Sequence, residues 1–269
     1  MSDFGTFGDI GVEIDGDFVA TVEIRRPPHN YFDLSLIDDI ASAFEALDAE
    51  PRCRAIVLCS EGKNFCAGAQ LGGGAGSRKP GASAAASPDA PPRHLYDAAV
   101  RLFSTQSPVV AAIQGAAIGG GLGLALMPDF RVAAPEARFA ANFARLGFHH
   151  GFGLSVTLPD VVGRQRAMEL LYTGRRVRGE EALGMGLCDR IAPLAELRQA
   201  ATDFAREIAL SAPLALRSIR ETLRGDLPER IRAATARERV EQERLQKTKD
   251  FREGIRAMGE RRTPSFTGS

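Results

Sequence analysis

The chain has 269 residues, of which 44% are hydrophobic and 25% charged, a composition typical of a globular protein with a sizeable core. Lys and Arg together number 34, as do Asp and Glu, so the formal net charge is zero. This balance argues against nucleic-acid binding and against a charged membrane surface as partner, because both favour an excess of basic residues.

Cysteine usage and the start of the chain indicate a cytoplasmic protein. The four cysteines have no metal-ligand spacing, and we expect reduced thiols and no bound metal. The first 17 residues have neither a cationic start nor an apolar segment, so we expect no signal peptide. No apolar run is long enough to span a bilayer, so we expect no membrane partner.

The N-terminal segment predicts a β-hairpin followed by an amphipathic helix. Residues 12–24 alternate between two faces of a strand pair, around a turn at residues 15–17. One face carries Phe18, Ala20, Val22 and Ile24. Apolar residues then follow at helical spacing, with Asp33 as the predicted N-cap: Ile37, Ile40, Phe44 and Leu47.

Strands and helices then alternate, which predicts an α/β core with parallel strand pairing. The predicted strands are Ala55–Cys59, Val109–Ile113 and Phe130–Ala134, and the predicted helices are His94–Thr105 and Leu122–Met127. Residues 72–92 have too little apolar surface to fold, and we expect a mobile loop there.

The strand signals fade from about Arg164 onward. Pro213 and Pro228 mark predicted helix starts, because proline suits the first helical turn. Residues 228–260 are rich in Arg and Glu with narrow apolar faces, and predict helices that pack on the core or on another subunit.

Three consecutive glycines, Gly119–Gly121, separate a predicted buried strand from a predicted helix. A nucleotide P-loop, a dinucleotide-binding GxGxxG and a GxSxG elbow are all excluded by spacing or residue order. One interpretation is close packing of a helix start on a strand. The other is a set of bare backbone N–H groups at the positive end of a helix dipole, which a ligand oxygen can approach.

A second stretch of small residues, Asn64–Leu71, leaves the predicted strand at 55–59. Two such backbone donors, if they meet in space, would form an oxyanion hole for an oxygen that gains negative charge during a reaction.

Together, FCAGAQL at 65–71 and GAAIGGGLGLALMPD at 115–129 resemble the crotonase superfamily, also called the enoyl-CoA hydratase/isomerase family. The resemblance extends in order over nearly the whole chain, through Arg26-Pro27, Phe139, Leu146-Gly147, Thr173-Gly174-Arg175, Gly186-Leu187, Phe251-Arg252-Glu253-Gly254 and Glu260–Phe266.

The resemblance implies an α/β crotonase-like superhelix of ββα units at residues 1–195 and a C-terminal helical trimerisation region at 196–269. It implies a homotrimer or a dimer of trimers, with an acyl-CoA thioester as substrate and no permanently bound cofactor. The thioester carbonyl would lie between the N–H groups of Ala69 and Gly120. CoA or its acyl group would contact Pro28, His29, Ala67, Gly68, Leu71, Gly119, Phe143 and Arg261. For Arg261, a plain surface position is an equal alternative.

The two glutamates of the family's hydratases are replaced in this sequence. By motif position they correspond to Gly123 and Phe143, and neither glycine nor phenylalanine can transfer a proton. We therefore expect inefficient hydration, and an apolar pocket at Phe143.

Three histidines and one tyrosine are the remaining acid–base candidates. His149 and His150 follow where the family's chain passes the substrate, although a loop histidine held by backbone hydrogen bonds is the alternative. His94 and Tyr96 begin the helix after residues 72–92, with packing or surface positions as their alternative.

Two classes of function remain open. The first is an enzyme of CoA-thioester chemistry that uses the oxyanion hole for isomerisation, decarboxylation or hydrolysis. The second is a catalytically weak acyl-CoA-binding protein or a partner in a hetero-oligomer, which the missing glutamates favour. RNA binding has little support from a chain with zero net charge.

Overall fold

The computed structural model describes residues 2–69 and 94–269. Residues 72–92, expected to form a mobile loop, lie outside the described part of the chain, as does Leu71.

The described chain alternates strands and helices in its first half and is mainly helical after residue 154. The strands are β1 (Ser2–Phe7), β2 (Ile10–Ile14), β3 (Val19–Ile24), β4 (Ala55–Ser60), β5 (Val109–Ile113), β6 (Ala116–Ile118), β7 (Phe130–Ala133), β8 (Arg138–Ala140), β9 (Val177–Arg178) and β10 (Arg190–Ile191). The α-helices are α1 (Leu34–Asp48), α2 (Leu95–Phe103), α3 (Gly120–Leu126), α4 (Leu154–Val162), α5 (Arg164–Thr173), α6 (Gly179–Gly184), α7 (Leu197–Ala209), α8 (Pro213–Arg224), α9 (Leu227–Leu245) and α10 (Lys249–Gly259), with a 3₁₀ turn at Ala144–Leu146.

Within the described residues, seven strands form one sheet in the order β1-β2-β3-β4-β5-β7-β10. The first three pair antiparallel, and the strands from β3 to β10 pair parallel. A smaller sheet, β6-β8-β9, stands beside α3. The predicted α/β core with parallel strands and C-terminal helices is therefore confirmed.

The central strands are buried on both faces, which explains their nearly continuous apolar sequence. One face packs on a large cluster that includes Ile37, Phe44 and Phe103. The other face packs on α7 through Leu197 and Ala201. Thus α7, which begins the predicted C-terminal region 196–269, also covers the core sheet; the domain boundary itself stays a prediction.

The local predictions are confirmed at the hairpin, at the starts of α1 and α8 and at the cap. Helix α3 begins at Gly120, two residues before the predicted Leu122, and Phe18 also needs a correction. Strands β2 and β3 pair as the hairpin, Asp33 accepts the N–H of Leu36 as N-cap of α1, and α8 begins at Pro213. Phe18, predicted on the same strand face as Ala20, Val22 and Ile24, instead lies in the turn with φ 65°, and its side chain is exposed. The guanidinium of Arg54 lies 3.7 Å from its ring centroid, so a cation–π contact replaces burial.

Candidate active site

A cavity of about 510 Å³ opens between the 66–69 segment, the start of α3, the start of α2 and helix α9. Its described lining is mostly apolar or backbone, with aromatic rings from residues 31–32, from the start of α2 and from residues 143–152. The lining consists of Tyr31, Phe32, Ala67, Gly68, Ala69, His94, Leu95, Tyr96, Ile118, Gly119, Gly120, Asn142, Phe143, Leu146, Phe148, Gly151, Phe152, Gln242, Gln246 and Met258. Six of the residues expected to bind substrate are thus brought together: Ala67, Gly68, Ala69, Gly119, Gly120 and Phe143.

Each of the three consecutive positions 119–121 requires glycine for a physical reason. Gly119 is the N-cap of α3 and has φ +59°, a conformation that side chains other than glycine rarely adopt. A Cβ on Gly120 would collide with the ring of Phe32, and a Cβ on Gly121 would collide with the carbonyl of Cys66. Close packing of the helix start therefore coexists with an open helix N-terminus.

The 66–69 segment is held against the strand that leads into α3. Cys66 N donates to Ala116 O at 2.9 Å, and Ile118 N donates to Cys66 O at 3.1 Å. Gly68 has φ +93°, and a Cβ there would lie 2.8 Å from Ile118 O. The two backbone segments consequently meet at a distance that glycine alone permits.

The direction of the Ala69 N–H follows from peptide geometry. The carbonyl and the N–H of one trans peptide unit point in opposite directions. Gly68 O accepts from Phe32 N at 3.1 Å, so the Ala69 N–H points away from Phe32. Among the described residues, the Ala69 N–H has no hydrogen-bond acceptor.

The same peptide geometry gives the direction of the Gly120 N–H at the N-terminus of α3. Gly119 O accepts from Leu122 N and Gly123 N inside the helix, so the Gly120 N–H points outward from the helix start. It is one of the amides that no helix can pair internally, and within the described chain it has no acceptor. Two open amides on the wall of one cavity can bind an oxygen that carries negative charge.

Gly123 and Phe143, which the sequence predicts at the positions of the hydratase glutamates, both pack against aromatic rings. Gly123 lies against Phe152, where a Cβ would come within 2.7 Å of the Phe152 Cβ. Phe143 is buried, lines the cavity and contacts the ring of Phe148 at a centroid distance of 5.3 Å. The described lining contains no carboxylate, lysine or arginine side chain.

The structure does not bring His149 and His150 to the cavity. Neither is among its described lining residues, and their rings stack on each other at 4.1 Å. His150 Nε2 lies 2.8 Å from Ser155 Oγ, and that hydroxyl donates to Glu238. Burial and the neighbouring His149 lower the pKa of His150 to about 4. These contacts match the alternative of loop histidines held by hydrogen bonds.

His94 and Tyr96 do line the cavity. Tyr96 O–H donates to Gln242 Oε1 at 2.8 Å, and Gln242 Nε2 donates to His149 O at 3.0 Å. Burial, with a smaller effect from Glu238, raises the pKa of Tyr96, so its hydroxyl stays protonated. Burial is also the main reason that the pKa of His94 is lowered.

The positions expected at the nucleotide end of CoA lie outside the cavity lining. Pro28 and His29 are exposed, and His29 O accepts from Ala67 N at 2.9 Å, which joins them to the 66–69 segment. Arg261 is exposed just after α10, with φ 55°. Leu71 lies outside the described residues.

Sequence reasoning missed the contribution of α9. Glu238 is fully buried and accepts from Gly153 N, Ser155 N and Ser155 Oγ, at 2.7 to 3.0 Å. It thereby caps the start of α4 and holds the wall that contains Phe152. The detectable signal is the spacing Ile231, Thr235, Glu238, Gln242, which places polar residues on the inward face of a helix.

The cysteine thiols are not accessible for chemistry. All four cysteines are free and buried, and burial raises the pKa of each thiol. Within residues 2–69 and 94–269, no cluster of His, Cys, Asp or Glu has the arrangement of a metal site. In the same ranges, no helix has the length and hydropathy that crossing a bilayer requires.

The family model and the relatives that match this chain all belong to one group of proteins. A family model described as enoyl-CoA hydratase/isomerase matches residues 15–269. A Thermus thermophilus protein, provisionally named an enoyl-CoA hydratase, is 34% identical over 95% of this chain and 100% of its own length. The carnitinyl-CoA dehydratase of Proteus mirabilis is 31% identical over 93% of this chain and 95% of its own.

Solved structures show the same likeness. An enoyl-CoA hydratase/isomerase from Pseudoalteromonas atlantica superposes with a TM-score of 0.82 at 27% identity, covering 96% of this chain and 100% of that one. An enoyl-CoA hydratase from Mycobacterium avium subsp. paratuberculosis superposes with a TM-score of 0.80 at 27% identity, covering 97% and 99%. The names in this group include hydratase, isomerase and dehydratase, so they span more than one reaction.

Proposed function

Because the chain belongs to the enoyl-CoA hydratase/isomerase family of the crotonase superfamily, we propose that it is an enzyme that acts on acyl-CoA thioesters. The thioester oxygen binds between the N–H groups of Ala69 and Gly120. The observation that carries this proposal is that both amides lie on the wall of one cavity without an acceptor among the described residues, although they belong to segments far apart in sequence.

These amides stabilise an enolate or oxyanion at the thioester carbonyl. An oxygen that gains negative charge strengthens its hydrogen bonds to fixed donors, and one such donor contributes about 3 kcal/mol to transition-state stability. Ala67, Gly68, Leu71 and Gly119 would contact the CoA arm or the thioester, with Pro28, His29 and Arg261 toward the nucleotide. CoA acts as part of the substrate, without a permanent cofactor.

We propose that efficient hydration is not the reaction of this enzyme. Adding water to a double bond needs groups that take and give protons. Gly123 and Phe143 supply neither, and the described cavity lining has no carboxylate. An oxyanion hole can still support isomerisation, decarboxylation or hydrolysis, provided that groups other than these two positions transfer the protons.

The catalytically weak acyl-CoA-binding protein is the second candidate, and the absence of a carboxylate from the described lining favours it. A hetero-oligomer partner of this kind would hold the thioester without turnover. For the chain itself we propose a cytoplasmic homotrimer or dimer of trimers, assembled through the C-terminal helices.

The central test separates CoA binding from carbonyl activation. Ala69→Pro removes one N–H donor, whereas the control Ala69→Gly keeps it. Calorimetry with CoA, which has no thioester carbonyl, should give the same affinity for both variants. Turnover of a panel of enoyl-, β-keto- and aryl-acyl-CoA esters, followed by mass spectrometry, should fall by about 10²- to 10³-fold in Ala69→Pro alone.

Three results would contradict this function. Absence of saturable CoA binding would remove both candidates. Binding without turnover of any ester would favour the binding protein. A fast hydratase rate on crotonyl-CoA would refute the interpretation of positions 123 and 143.

A further inference from the structure

His94 is the N-cap of α2 and forms a reciprocal cap with the first turn. Its Nδ1 accepts from Tyr96 N at 3.1 Å, and its own backbone N–H donates to Asp97 Oδ2 at 2.9 Å. A ring nitrogen that accepts an N–H carries no proton. The proton of the neutral imidazole is therefore on Nε2.

The surroundings keep this imidazole neutral. His94 is half-buried on the cavity wall, and its ring meets that of Tyr96 edge-on at 4.9 Å. Burial and, less strongly, Arg239 lower its pKa, against the weaker opposite effects of Asp97 and Glu243. A neutral histidine at a helix start is a hydrogen-bond donor, because a helix N-terminus disfavours the cation.

The polar neighbours of His94 are already hydrogen-bonded, whereas its Nε2–H has no acceptor among the described residues. Tyr96 O–H donates to Gln242 Oε1, and Gln242 Nε2 donates to His149 O. Nδ1 is occupied by the N–H of Tyr96, and for Nε2 of His94 the described residues offer no acceptor. His94 lines this cavity together with the rings of Phe32, Phe143, Phe148 and Phe152. On its other side it borders a second cavity, which is lined by Arg239 and Glu243.

We propose that His94 is a specificity-determining residue that donates from Nε2–H to an oxygen on the acyl group. Its preferred ligand is a bulky, mainly apolar acyl-CoA that carries a hydroxyl or ether oxygen distant from the thioester. The thioester oxygen has its own donors in Ala69 and Gly120, so the Nε2–H serves a second oxygen. This inference rests on the proposed function.

The physical reason is the cost of an unpaired donor. A purely hydrocarbon acyl group would remove water from Nε2–H without replacing its hydrogen bond. A site with such a donor discriminates against the analogue that lacks the matching oxygen.

The test uses calorimetry with 4-hydroxyphenylacetyl-CoA and phenylacetyl-CoA, which differ by one hydroxyl. The wild-type chain should bind the hydroxylated ester about tenfold more tightly. In His94→Ser the hydroxyl oxygen can still cap α2, but no donor reaches the ligand. This variant should bind both esters equally.

Asp97→Asn is the matched control, because it weakens the same helix start and leaves the imidazole in place. It should retain the tenfold preference. Equal affinities in the wild type, or a preference retained in His94→Ser, would overturn the role of His94. Failure of CoA and of both esters to bind would instead remove the proposed function.

Discussion

At the scale of single residues, the candidate active site depends on glycines, because a side chain at these positions would be strained or would collide with its neighbours. Gly119 is required for its backbone conformation, whereas Gly120 and Gly121 are required because neighbours occupy the space of a side chain. Gly68 combines both reasons. Small residues thus allow two backbone segments to meet, and within the described part of the chain the N–H groups of Ala69 and Gly120 have no acceptor there.

The packing at Gly121 gives a direct test. Gly121→Ala places a methyl group on the carbonyl of Cys66, and we expect a loss of about 2 kcal/mol in the free energy of unfolding. Gly184→Ala in α6 is the control, because nothing lies within 4 Å of its Cβ position. Urea unfolding should show the control unchanged or slightly stabilised. Equal stability of the two variants would contradict the close packing.

At the scale of elements, α9 forms the support of the cavity wall. Glu238 and Gln242 lie one turn of helix apart and bind opposite ends of the segment from His149 to Ser155. That segment contains Gly151 and Phe152, which line the cavity. A helix that looks like a charged surface element in sequence therefore determines the shape of the site.

Removing Glu238 should weaken both stability and binding. Glu238→Ala leaves the buried N–H of Gly153 and the N–H of Ser155 without their acceptor, and we expect a loss of about 2 kcal/mol in unfolding free energy. CoA-ester affinity should fall as the wall around Phe152 loosens. Both effects are measured by urea unfolding and calorimetry.

Glu243→Ala on the same helix is the control for this substitution. Its carboxylate pairs with Arg239 at the surface, so little change is expected. If both variants lose the same stability, the buried cap does not support the wall.

At the scale of the whole molecule, stability should fall in mild acid because of His150. Its pKa is lowered to about 4, below the ordinary value of 6.5, so the unfolded chain binds a proton in this window and the native chain does not. Stability is therefore lost as pH falls from 6.5 to 4, by up to about 3 kcal/mol.

His150→Gln tests this effect, because its amide N–H can still donate to Ser155 Oγ but does not titrate. Unfolding free energies measured between pH 4 and 6.5 should show a shallower slope in the variant than in the wild type. Identical slopes would show that other groups cause the acid sensitivity.

The C-terminal helices should determine the assembly. In α8 the described structure buries Arg220, while Leu214 and Leu223 are 82% and 81% exposed. Covering two such leucines contributes about 4 kcal/mol to an interface. Light scattering should give a mass of three or six times the 28.8 kDa of one chain.

Leu214→Glu combined with Leu223→Glu should lower that mass toward a single chain. Leu194→Glu, an exposed position before α7, is the control and should leave the mass unchanged. A monomeric wild type, or a double variant of unaltered mass, would contradict assembly through α8.

Local patterns were sufficient for much of the fold. Alternation predicted the hairpin, helical spacing with Asp33 predicted α1, and Pro213 predicted the start of α8, because these features depend on neighbours along the chain. The order of strands and helices along the chain predicted the parallel pairing. Phe18 departed from its alternation because the turn ends one residue later than the pattern implies. The buried face of α9 was missed because Glu238 and Gln242 satisfy backbone groups that only folding brings to them.

The sequence by itself determined which chemistry is available: glycines where a backbone must be approached, and no glutamate at positions 123 and 143. Only the tertiary structure decided which candidates share a cavity, because contacts between segments far apart in sequence depend on the packing of the whole chain. It placed His94 on the wall of the same cavity as residues 67–69 and 119–120, and it left His149 and His150 outside the described lining. It also gave each histidine its surroundings, since burial and hydrogen-bond partners are properties of the fold and not of the residue.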